Sequence, residues 1–165
     1  MPDSTKHAVL HRIVRFLREI GFHITPTELS EPTFLPGITV DQGTILIDES
    51  KLLYPGDLLH EAGHLAVIPA ERRKRANGSV GKKASEEMMA IAWSYAASVH
   101  LGLEPEVVFH EGGYRGGSAA LIENFTNGRY VGVPMLEWIG LTADKKRAQE
   151  NGIRPYPEMI RWMNE

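Results

Sequence analysis

Residues 57–67, Asp-Leu-Leu-His-Glu-Ala-Gly-His-Leu-Ala-Val, place His60 and His64 one helical turn apart, and this spacing constrains the fold more than any other feature of the chain. In a helix the two imidazoles share one face. Leu58, Leu59, Ala62, Leu65 and Ala66 supply the apolar positions of a buried helix. Asp57, after Pro55-Gly56, reads as its N-cap, and Pro69 marks its end. An interior glycine costs about 1 kcal/mol relative to Ala. Gly63 therefore suits a helix that lets a neighbour come close.

The five residues His60-Glu61-Ala62-Gly63-His64 form the pattern H-E-x-x-H, in which each polar position has its own task. Neutral imidazole is a good ligand for Zn2+, and residues four apart can reach one ion together. Glu61 sits at the edge of the same face, where it can take a proton from water at the metal without being a ligand. A catalytic zinc site wants a third protein ligand and an open position. The segment Ser85–His100 is a strong helical pattern with Ser85 as cap and Gly102 as terminator. Glu87 lies on a stripe with Ala90, Ile91, Ser94 and Ser98, and is the preferred third ligand. Its rival Glu86 shares a stripe with Met89, Ala90, Trp93 and Ala97. Both would also suit a helix's first turn as dipole charges. A second source of a ligand is the loop Phe109-His110-Glu111-Gly112-Gly113-Tyr114, through His110 or Glu111.

With His60-Glu61-Ala62-Gly63-His64 followed by a helix carrying Glu87-Met88-Met89-Ala90 and Trp93, the chain resembles the gluzincin-type metallopeptidases, and among them the small ImmA/IrrE-like bacterial family. The resemblance covers mainly residues 38–100. It implies a zincin-like fold, His60, His64 and Glu87 as zinc ligands, and Glu61 as general base. It also implies regulatory substrates, commonly DNA-binding repressors. Two positions depart from the pattern: the family's acidic residue two places after the ligand is Met89 here, and the carboxylate that larger gluzincins place four residues after it is Ile91. Another group must then orient the histidines. Asp48, Glu49 and Glu123 are the candidates.

The length of 165 residues and 42% hydrophobic content fit one domain with a substantial core. A formal charge of -3 argues against broad electrostatic binding to nucleic acid. The local basic run Arg72-Arg73-Lys74-Arg75, with Lys82 and Lys83, reads as a solvated link, with an acidic-partner contact as the alternative. There are no cysteines, which excludes disulfides and thiol catalysis. Met1-Pro2-Asp3-Ser4-Thr5 does not read as a secretory leader, and no apolar run spans a bilayer, so the expectation is a cytoplasmic protein without membrane contact.

The remaining pattern predicts an α+β domain, mainly helical, with a small sheet just before the H-E-x-x-H helix. An amphipathic helix is expected near residues 4–20, ended by Gly21, and a hairpin over residues 38–48 with its turn at Asp41-Gln42-Gly43. A strand there can hold an extended peptide by backbone hydrogen bonds. Short helices are expected from Leu103 to Phe109 and from a Ser118 cap to Phe125, and apolar helical faces at 133–139 and 156–163. Between them, Tyr114, Arg115 or His110 on a glycine-rich loop could donate to a tetrahedral intermediate. Two functions fit: a zinc peptidase acting on a protein or peptide, with Glu61 and Tyr114 as catalytic residues, or a regulatory interaction domain that keeps the fold without turnover. No helix-turn-helix domain is evident, so a repressor would be a separate partner.

Overall fold

The computed structural model describes residues 3–78 and 83–165, which form a mixed α/β structure of helices and one three-stranded sheet. Helix α1 (Asp3–Glu19) buries Leu10, Ile13, Phe16 and Leu17. It closes at Gly21 (φ 103°), where the Phe22 and Gly21 amides bond back to the carbonyls of Leu17 and Arg18. Strands β1 (Ile24–Pro26), β2 (Ile38–Asp41) and β3 (Thr44–Ile47) lie in the order β1-β3-β2, with β3 parallel to β1 and antiparallel to β2. The expected hairpin is present. Gln42 and Gly43 both take positive φ (44° and 77°), the geometry of a two-residue turn whose twist matches the strands. Strand β1 was not expected, because Pro26 cannot donate to a ladder; it lies at an edge, where the missing N–H costs nothing. Both edges are engaged. The Ile24 carbonyl accepts from Arg18 at 3.0 Å, and on β2 the Val40 carbonyl accepts from the Gly78 amide at 2.8 Å.

Helices α2 (Gly56–Val67) and α4 (Ala84–His100) form the centre. A Cβ on Gly63 would come 2.9 Å from the Ala90 carbonyl oxygen, so the expected close approach is between these two backbones. Helix α4 is buried on all sides from Met89 to Ser98, which makes it the axis of the core. Its Trp93 is wholly enclosed by Phe16, Phe22 and Trp162, and its indole N–H donates to the Trp162 carbonyl at 2.9 Å. The helix ends at Gly102 (φ 61°) with the same back-bonded geometry as α1.

Short helices surround this pair: α3 (Ala70–Arg73), α5 (Pro105–Val108), α6 (Ser118–Thr126), α7 (Val133–Trp138) and α8 (Lys145–Asn151). Three expectations are corrected. Residues 156–163 are not helical: Pro157 leaves the segment one amide short, and the chain instead runs along α2, where the Asn164 amide bonds to the Ala66 carbonyl at 2.8 Å. Asp57 does not cap α2, and Ser85 and Ser118 lie inside the first turns of α4 and α6 without capping them. The basic run is a solvated link only in part: Lys74, Arg75 and Lys83 are exposed, but two arginines are engaged. Arg72 pairs with Glu86, and Arg73 donates to the Leu65, Ile68 and Asn164 carbonyls around the C-terminal end of α2. Lys82 lies outside the described residues.

A candidate metal centre between two helices

One turn of α2 carries His60 and His64, and the first turn of α4 carries Glu87 directly across from them. The two Nε2 atoms are 3.0 Å apart. Glu87 places one carboxylate oxygen 3.5 Å from His60 Nε2 and the other 3.0 Å from His64 Nε2. Ligands about 2.0–2.2 Å from a tetrahedral ion stand roughly 3.4 Å from one another. The observed separations bracket that value. Two rings both in the Nδ1–H tautomer would oppose their lone pairs at this distance, and an Nε2–H on one of them or a cation between them removes the conflict. Hydrogen bonding from the two imidazoles holds the Glu87 carboxyl below the usual carboxylate range, against the opposing effect of burial. His64 is 5% exposed, His60 12% and Glu87 41%, so solvent reaches the triad from the glutamate side. Among the described residues, this is the group of His and carboxylate side chains whose ligand atoms all fall within 4.8 Å of one another.

Glu86 is turned away. Its carboxylate takes a two-pronged bond from Arg72, at 2.7 and 3.3 Å, on the α3 side. Neighbouring residues on a helix are about 100° apart, so only one of the pair can face α2. The close packing at Gly63 and Ala90 decides which. A second close approach backs the ligand turn: a Cβ on Gly132 would lie 2.1 Å from the Met88 carbonyl oxygen. Glu61 is buried, 5% exposed, beside His60 in the chain.

The glycine-rich loop supplies no ligand to this group. Glu111 and Arg115 are exposed. His110 is buried, with Nε2 2.7 Å from Asp57 Oδ1 and its ring stacked at 3.7 Å on Tyr54. Tyr114 does reach the centre, although its hydroxyl lies 3.3 Å from Nδ1 of His60, the nitrogen that does not face Glu87. Burial raises the phenol's pKa well above its ordinary value, with the charges of Asp57 and Glu87 adding to the effect, so it stays protonated. Tyr114 and Arg115 both take left-handed φ (55° and 52°), which costs about 1–2 kcal/mol per residue lacking a glycine's freedom.

The proposed orienting carboxylates are elsewhere: Asp48 holds Ser50 and the Leu29 amide, Glu49 lies by His7, and Glu123 pairs with Arg129. Sequence reasoning missed the Asp57–His110 pair because an acidic residue in a helix's first turn already has a sufficient explanation there. Compared with protein-family models, curated proteins and solved structures, the chain finds no match.

Proposed function

We propose that the chain is a zinc metallopeptidase of the gluzincin type, with a zincin-like arrangement of α2 and α4, that hydrolyses a peptide bond in a protein substrate. One observation carries the reading: both histidines of an H-E-x-x-H helix converge with Glu87 of the next long helix. Two histidines and a glutamate are a donor set of catalytic zinc, and the exposed glutamate side leaves a path for water and substrate. His60, His64 and Glu87 would hold the ion. When bound, the ion supplies Lewis acidity, polarising the carbonyl and making a water acidic near neutral pH.

The rest of the work falls to the chain. The Glu61 carboxylate takes a proton from the water whose oxygen attacks the carbonyl carbon. As the C–N bond breaks, it returns that proton to the departing amine nitrogen. The ImmA/IrrE-like resemblance adds a substrate class, a cytoplasmic regulatory protein such as a DNA-binding repressor. The β2 edge is a poorer candidate for holding that substrate than its sequence suggested, since Val40 and Gln42 already bond to residues 76–78. Glu61→Gln tests the mechanism. The variant should keep zinc and its melting temperature, while cleavage in cells or of purified substrate falls by roughly 10²–10⁴-fold. Cleavage at the wild-type rate would remove Glu61 from the reaction, and a partner captured equally by both forms with no cleavage by either would favour an interaction domain.

A further inference from the structure

Helix α2 is touched twice by the loop that follows α5. Asp57 and His60 are three positions apart and therefore share a face. Asp57 receives His110 at 2.7 Å, and His60 receives the Tyr114 hydroxyl at 3.3 Å. Between these two points the loop has little slack. A Cβ on Gly112 would lie 2.7 Å from the Tyr54 hydroxyl, and one on Gly113 would lie 3.1 Å from the His110 ring. The His110 carbonyl accepts from Ser118 Oγ at 2.6 Å, which ties the loop to the start of α6. Phe109 packs against the Tyr114 ring edge-on, with centroids 5.5 Å apart.

We propose that Tyr114 is the positioning residue of His60, and that the Asp57–His110 pair holds the loop so that the phenol stays on Nδ1. A ligand histidine usually gives its second ring nitrogen to a carboxylate, carbonyl or water, which fixes its tautomer and orientation. Asp48, Glu49 and Glu123, the carboxylates expected to orient a histidine, are engaged elsewhere, and the phenol oxygen stands at Nδ1 of His60. In the metal-free chain Nε2–H of His60 donates to Glu87 and Nδ1 accepts from the phenol; with the ion held, Nδ1–H would donate to the phenol oxygen and leave the Nε2 lone pair for the ion. The left-handed backbone at Tyr114 is what aims the phenol there, and His110 opposes its relaxation. His110 is buried and bonded to Asp57, so it acts through Tyr114 rather than on a substrate.

The inference rests on the proposed metal site, yet it can be tested separately from it. Zn2+ affinity of the purified chain is measured by chelator competition for wild type, Tyr114→Phe, His110→Gln and the double variant. Imidazole nitrogen NMR of the metal-free chains reports the His60 tautomer alongside. Each single change should weaken zinc by about 10-fold or more and mix the His60 tautomers. The double variant should be no weaker than Tyr114→Phe alone, because the two changes act on one route. Multiplying losses, or unaltered affinity and tautomer in Tyr114→Phe, would overturn the proposal. If the wild type takes up no zinc, the peptidase reading fails while the His60 tautomer still decides this one. Should His110→Gln not fold, Asp57→Asn takes its place in the cycle with the same expected pattern.

Discussion

At the scale of single residues, the environment decides what each carboxylate does, and adjacent acids have unlike roles. Glu87 faces two imidazoles while Glu86, one residue earlier, faces Arg72. Helical stripes favoured Glu87 from the sequence, but they could not separate the two, because α4 is buried on nearly every side. Asp48 shows the same dependence on surroundings. Considered as an orienting partner for a histidine, it accepts instead from the Ser50 hydroxyl at 2.6 Å and the Leu29 amide at 3.0 Å. These bonds, the Ser50 hydroxyl foremost, lower its pKa from 3.8 to about 2. The folded value lies below the unfolded one, so the stability it contributes is complete above about pH 4 and fades as pH falls towards 2. Asp48→Asn should therefore be less stable than wild type in denaturant at pH 6 and nearly equal to it at pH 2. A gap that persists unchanged at pH 2 would assign the effect to something other than ionisation.

Among the elements, the contact of α2 with α4 makes the centre, since two of its side chains come from one helix and the third from the other. Gly63→Ala tests this contact. Alanine would gain about 1 kcal/mol in helix propensity, but overpacking costs typically 1–3 kcal/mol, and the obstructing Ala90 oxygen is backbone that cannot rotate away. Net destabilisation is expected in thermal melts, together with weaker zinc binding as the helices separate. Unchanged zinc affinity would show that Glu87 follows α2 without this close approach. The helices α1 and α2 and the hairpin were legible in the sequence from their apolar period and glycine or proline punctuation, and α4 from its long run of helix-forming residues ended by Gly102. Helix α8 had readable signals too: Asp144 accepts from the Arg147 amide, and Gly152 closes the helix with positive φ. They were overlooked because the segment has few apolar positions. The false helix at 156–163 came from apolar spacing alone, where burial of Trp162 against Trp93 arises from a non-helical path.

Over the whole molecule, the late segments of the chain close around the centre that the middle segments build. Trp162 seals Trp93, Asn164 bonds to the end of α2, and Tyr156 donates to the Ala92 carbonyl at 2.8 Å. A second aromatic group of Tyr95, Phe109, Phe125 and Tyr130 supports the loop that carries Tyr114. Long-range closures of this kind leave no local period, which is why the three histidine and glutamate side chains were legible in the sequence while the Asp57–His110 support was not. No helix among the described residues is long and apolar enough to cross a membrane. The metal centre is tested most directly by zinc titration of the metal-free chain, comparing wild type with Glu87→Ala and Glu86→Ala. One tightly held ion is expected in wild type and in Glu86→Ala, with affinity reduced by more than about 10-fold in Glu87→Ala. Absence of zinc in wild type, or full affinity in Glu87→Ala, would contradict this assignment.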